Sequence, residues 1–181
     1  MTKQERYTKV IESLKNYFPN ATTELYYKDT FQLLVAVILS AQCTDKRVNM
    51  ITPSLFDKYP DAQSMAKAKV EDILSLIHSI SYPNSKAKYL SKMSKQLLEN
   101  FAGVVPDDVE KLQTLSGVGR KTANVIAAVV FHQNKMPVDT HVHRVSRRIG
   151  LTTNAKTVRQ TEDQLMKNLS GDDIALIHHQ L

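Results

Sequence analysis

Cysteine is almost missing from this sequence: Cys43 is the single copy among 181 residues. A lone thiol excludes an internal disulfide framework and cannot by itself supply a zinc or iron–sulfur site. Long apolar runs are missing as well, since none approaches the roughly 20 consecutive residues that a membrane span needs. The polar start, Met1-Thr-Lys-Gln-Glu-Arg-Tyr-Thr-Lys9, is no signal peptide. Glycine is scarce, with 5 copies where the usual share of about 7% would give more than twice as many. Two of them, Gly117 and Gly119, share one turn, so the chain spends glycine where its backbone takes an unusual conformation or comes close to something. What is abundant is apolar and basic. Hydrophobic residues make up 42%, enough for a core, and Lys plus Arg exceed Asp plus Glu by 24 to 18, a net +6. The expectation is a soluble, cytoplasmic protein of one domain or two small ones, with a polyanion among its partners.

The dominant period is helical and the predicted class is all-α. Val10, Ile11, Leu14 and Phe18 recur at three- and four-residue spacing, which predicts an amphipathic helix over 3–17 stopped near Pro19. Asp29-Thr30 opens an almost wholly apolar run to Leu39, long for a strand and suited to a buried helix. Thr44-Asp45 caps a helix through about Tyr59, in which Pro53 is an awkward interior residue able to break it. Asp61 caps a short helix, 71–80 forms another, and 83–101 a long one with Lys86, Lys88, Lys92 and Lys95 facing out. Pro106-Asp107-Asp108 starts a short helix that runs into the glycine turn. Beyond it, 120–132 is strongly apolar through Val125, Ile126, Val129 and Val130. Asp139 lies in a loop and cap before a basic helix over 141–149. An amphipathic helix over 155–169 follows, and Gly171-Asp172-Asp173 caps a last one. No hairpin signal, low-complexity linker or internal repeat interrupts this pattern.

Three segments carry chemistry. In Leu115-Ser-Gly-Val-Gly119 a tight reversal leads into a helix, so backbone N–H groups and the positive end of the helix dipole can hold one phosphate without reading sequence. The same five residues also suit an ordinary helix connection. Lys121 follows in the first helical turn. A dipole's positive end and apolar neighbours both disfavour an ammonium, so this amine can act as a nucleophile that forms a Schiff base, or it can simply be a solvated surface lysine. Asp139 can be a plain N-cap, or a carboxylate that takes a proton from an amine or stabilises a cationic sugar. Arg144, Arg147 and Arg148 form a cationic strip at i, i+3, i+4 that suits phosphates or solvent alike. His141 and His143 point to different sides of their helix, and neither they nor His178-His179 suit a metal. Cys43 reads as a small, half-buried residue and not as a nucleophile.

At Leu115-Ser-Gly-Val-Gly-Arg-Lys-Thr-Ala123 and Val138-Asp-Thr-His-Val-His-Arg-Val145 the sequence resembles the helix–hairpin–helix DNA glycosylases, and within them the endonuclease III family. Leu39-Ser-Ala-Gln-Cys-Thr-Asp45 and Pro83-Asn-Ser-Lys-Ala87 are similar to two further family segments, all in the same order. The resemblance covers about 17–181. It implies a two-lobed helical fold with DNA bound across a central cleft. The lobes would be a helical barrel over 21–133, with the helix–hairpin–helix at about 107–132, and a second lobe from 1–20 plus 134–181.

It also implies a base-excision repair glycosylase with AP lyase activity, acting as a monomer on double-stranded DNA that holds damaged bases or abasic sites. Lys121 would attack C1′ of an oxidised pyrimidine flipped from the stack, and Asp139 would assist. Gln42 would fill the gap left by the base and Tyr82 would stand at the wedge position. Ser116, Gly117, Val118, Gly119, Arg120, Thr122, His141 and Arg144 would complete the DNA contacts. Lys121 separates this chain from the related adenine glycosylases, which lack a lysine there. Alternatives are a glycosylase for mismatched thymine or uracil and a non-catalytic helix–hairpin–helix DNA-binding protein. Ser116 stands where the family's hairpin usually has proline, and both glycines remain, so the turn is expected to survive. The family's [4Fe–4S] cluster sits on four clustered cysteines that would follow Leu181; with Cys43 alone, no metal or cofactor is expected in this chain.

Overall fold

Capping side chains set most of the helix starts in the computed structural model, which describes residues 1–169 and 174–181. Helix α1 (Lys3–Tyr17) opens with a capping box, Thr2 accepting from the Glu5 amide while Glu5 accepts from the Thr2 amide. Asp29, Thr44 and Asp61 cap α2 (Thr30–Ser40), α3 (Asp45–Lys58) and α4 (Ala62–Lys67). After α5 (Val70–Ile77) and α6 (Pro83–Phe101), Asp108 caps α7 (Val109–Gln113). Then come α8 (Arg120–Val129), α9 (Thr140–Arg148) capped by Asp139, α10 (Val158–Asn168) capped by Thr157, and α11 (Ile174–Gln180). Among the described residues all regular structure is helical. The cap read at Gly171-Asp172-Asp173 lies outside them.

Several sequence expectations need correction. Pro53 does not break α3. Val48, Thr52 and Leu55 are buried on one face of that helix, and their packing outweighs the roughly 3 kcal/mol that an interior proline costs. Helix α8 stops at Val129, not at His132, because His132 takes a left-handed φ of +50° and the Gln133 amide closes back on the Ala127 carbonyl at 2.9 Å. Helix α10 starts three residues later than its apolar pattern suggests, since the Thr157 hydroxyl accepts from the Gln160 amide. Phe18 leaves the apolar stripe of α1 and is mostly exposed. The largest departure is Lys86. It does not face out with Lys88, Lys92 and Lys95, which are exposed, but is 4% exposed.

The chain divides into two compact units, Glu24–Ile126 and Met1–Thr23 with Ala127–Leu181. In the first, α2 is buried almost all round, with Leu33, Leu34, Val35, Ala36 and Leu39 fully enclosed. It packs with α3 and α6, while α4 and α5 lie on α6. The buried stripe of α6 is Lys86, Leu90, Met93 and Leu97.

The second unit joins α1 to α9, α10 and α11 through a core of Tyr7, Met136, Val138, Val142, Leu151, Leu165, Leu169, Ile174, Ile177 and Leu181. Two neighbouring residues of α1 fasten the start of the chain to the segment after α9. Arg6 donates to the Gly150 carbonyl, and the Tyr7 hydroxyl donates to the Leu151 carbonyl at 2.8 Å. Burial pushes the Tyr7 hydroxyl up to about 12 from its ordinary 10.0, against a smaller opposing effect of Asn168. A raised pKa in the folded state stabilises the fold in full below the unfolded value, and that contribution is lost as pH rises through the folded one. Stability is therefore expected to fall between about pH 10 and 12 more steeply in the natural protein than in Tyr7→Phe. At neutral pH the Phe variant should be less stable by about 1 kcal/mol, having left a buried carbonyl unpaired. Denaturant titrations at stepped pH measure both effects.

Candidate active site

The reversal between α7 and α8 is built against α6. Leu115 and Val118 are buried and anchor it. The Gln96 side chain clasps it from both ends, accepting from the Ser116 amide at 2.8 Å and donating to the Thr114 carbonyl at 3.1 Å. Serine at 116 thus has a use that proline could not serve, because it supplies the N–H that Gln96 holds. The Val118 amide is also spent inside the turn, on the Leu115 carbonyl at 3.1 Å. Neither Ser116 nor Val118 therefore offers its amide outward. The amides of Gly117 and Gly119 carry no hydrogen bond within the described residues.

The two glycines differ in kind. Gly117 has φ +81°, and a Cβ there would lie 2.9 Å from the Cβ of Tyr89 on α6. Gly119 has no positive φ, and a Cβ there would meet nothing within 4 Å. Gly117→Ala is expected to lose about 2–4 kcal/mol from left-handed strain plus overpacking. Gly119→Ala should stay within about 0.5 kcal/mol of the natural protein. Thermal denaturation of the two variants side by side checks the contrast.

Arg120, Lys121 and Thr122 form the first turn of α8, with Arg120 exposed and the other two half-buried. A carboxylate not singled out from the sequence lies within electrostatic reach of the Lys121 ammonium. Asp45, the first residue of α3, has its carboxyl held above the ordinary range by burial and then by the charge of Glu24, with Lys121 pulling the other way. Glu24 in turn lines a recess of about 500 Å³ with Tyr26, Lys46, Asn49 and Met50. The available signal was position: Asp45 closes the Leu39–Asp45 block, yet a Thr-Asp pair at a helix start reads first as a cap.

Gln42 and Tyr82 belong to the same unit and share an uncommon backbone. Both are exposed, and both have left-handed φ, +54° and +55°. In the other unit, Asp139 is half-buried and caps α9 with one oxygen only, Oδ1 accepting from the amides of His141 and Val142 at 2.9 Å each. Its Oδ2 has no partner among the described residues. The cap and the free carboxylate oxygen are thus properties of one side chain, not rival readings of it. His141 lies at 3.1 Å from Arg144 and both are exposed, as are Arg147 and Arg148. His143 turns the other way, to the Thr161 hydroxyl at 2.7 Å.

Among the described residues no three His, Cys, Asp or Glu side chains are grouped to hold a metal ion, and none of the helices is long and apolar enough to cross a membrane. With one half-buried cysteine, these 181 residues hold no donor set for a four-thiolate cluster.

Residues 35–170 match the HhH-GPD superfamily of base excision DNA repair proteins. Over 184 residues the chain is 45% identical to the endonuclease III of Synechocystis sp., covering 98% of this chain and 84% of that one. The chain belongs to the endonuclease III family. A solved structure of a trapped endonuclease III–DNA covalent intermediate superposes with a TM-score of 0.94 at 38% identity, covering 99% of this chain and 84% of that one. A thermostable thymine-DNA glycosylase shares the fold, with a TM-score of 0.82 at 19% identity over 98% of this chain and 83% of that one.

Proposed function

We propose that this chain, a base-excision repair DNA glycosylase with AP lyase activity, removes oxidised pyrimidines from duplex DNA through an imine on Lys121. The Lys121 Nζ bonds to C1′ as the C1′–N bond breaks, and the base leaves with that electron pair and a proton. Opening of the sugar ring gives the imine. Loss of a C2′ proton then expels the 3′ phosphate by β-elimination, and water hydrolyses the imine to return the free amine. Asp139 stabilises the cationic sugar or relays the amine proton, and Asp45 supplies a further carboxylate near the amine. The chemistry needs the base outside the stack, because C1′ is out of reach within it.

The observation that carries this reading is Lys121 itself, half-buried in the first turn of the helix that follows the glycine reversal, in a chain of this family. A module that only bound phosphate would need the amides of Gly117 and Gly119 and have no use for a reactive lysine and Asp139. The open space at Gly119 supports the approach of a phosphate, so Gly119→Ala is expected to weaken duplex binding while leaving the melting temperature unchanged. The test is a duplex with one thymine glycol, with an undamaged duplex beside it. The expected result is release of the base and scission on the 3′ side of the lesion only in the damaged strand. An intact damaged strand under conditions where an abasic strand is cut would remove oxidised pyrimidines from the account.

A further inference from the structure

Lys86 is a charged residue in a core position, and its side chain reaches the loop that carries left-handed Gln42. Its ammonium donates to the carbonyls of Leu39 at 2.8 Å and Ala41 at 2.7 Å, and its backbone amide donates to the Tyr82 carbonyl at 3.1 Å. Residues 40–43 form a tight turn. The Cys43 amide reaches the Ser40 carbonyl at 2.9 Å, Ala41 has φ −56° and ψ 114°, and Gln42 follows at φ +54°. These are type II angles, which ordinarily call for glycine at the third position. The type I alternative flips the peptide between Ala41 and Gln42, turning the Ala41 carbonyl away. The bond from Lys86 to that carbonyl therefore selects the turn in which Gln42 is left-handed.

Tyr82 is in a similar position. It precedes Pro83, where an extended backbone is the rule, yet it is left-handed with no side-chain cap of its own. Its carbonyl accepts from the Lys86 amide, the first helical bond of α6, which any residue with an N–H at 86 would supply. An exposed residue kept in a strained conformation by a buried neighbour, as Gln42 is, is a mark of function, since folding alone gains nothing from it.

We infer that Lys86 is a positioning residue for base extrusion, a strut whose ammonium holds Gln42 in the conformation from which it enters the duplex. This rests on the reading of Gln42 as the residue that fills the gap left by the flipped base. The ammonium does so without touching substrate. Its stem occupies the apolar stripe of α6, and its charge is spent on carbonyls at the end of α2, where the helix dipole favours a cation.

The test compares two substrates under single turnover, a thymine glycol duplex and a duplex with a preformed abasic site. Extruding a paired base costs more than moving an abasic sugar, so a positioning defect separates the two, whereas general damage to the fold lowers both alike. Lys86→Met keeps the stem and removes the charge. It should lose about tenfold or more in base release relative to its loss on the abasic site. Lys86→Arg, which retains donors for both carbonyls, should recover most of that ratio. Equal losses on both substrates, or no loss on either, would overturn the inference. Should Lys86→Met fail to fold by circular dichroism, the ratio is read on Lys86→Gln, where a ratio equal to that of the natural protein overturns it likewise. Gln42→Ala runs alongside. If it does not slow base release, the reading beneath the inference fails; if it does and the Lys86 variants do not, the inference alone fails.

Discussion

Lys121→Gln should abolish the covalent protein–DNA complex that borohydride traps on an abasic duplex, and should slow strand scission by at least about three orders of magnitude. Trapping needs an imine, and an imine needs an amine whose lone pair attacks C1′; a carboxamide has none to give. Duplex affinity should change far less. The substitution removes one cation among several, so the salt dependence of binding should lose about one phosphate's worth of slope. The turn should be untouched, because Gln96, Leu115, Val118 and Gly117 hold it without Lys121. A variant that binds and does not trap separates chemistry from recognition. Persistent trapping would move the nucleophile elsewhere.

Asp139→Asn should reduce base release by about 10²–10⁴-fold, the span of a positioned acid–base group, with little change in stability. Asparagine is as good an N-cap as aspartate, and the oxygen that accepts from the His141 and Val142 amides can be kept. What is lost is the charge on the other oxygen. Asp139→Ala should lose that charge and the cap together, adding about 1 kcal/mol of destabilisation. If the Asn variant released bases at the natural rate, Asp139 would be a cap and nothing more. Comparing Asn with Ala by single-turnover kinetics and by melting therefore isolates the charge from the hydrogen bonds.

Much of this was legible before any coordinates. Apolar spacing and capping residues gave both ends of α1 and α6 and the start of α2, because such signals are local. Where tertiary contacts decide, local signals fell short. Lys86 was read as solvent-facing on residue type, although its spacing to Leu90, Met93 and Leu97 places it on the buried stripe. Composition pointed to both glycines as special, yet only Gly117 has a conformational reason, and its crowding by Tyr89 comes from a helix far off in sequence. For a similar reason Asp45 reads from the sequence as part of a helix cap and nothing more. Its surroundings are Glu24 and Lys121, distant along the chain on either side. Ser116 reads from the sequence as a tolerated departure from proline, and its use is intelligible only with Gln96 beside it.

The most direct test of the account is to trap the natural protein with borohydride on a thymine glycol duplex, digest the adduct and locate the modified residue by mass spectrometry. The expected result is an adduct on the damaged-base duplex, with the sugar remnant on Lys121. A remnant on another lysine, or base release that never gives a trappable adduct, would contradict it.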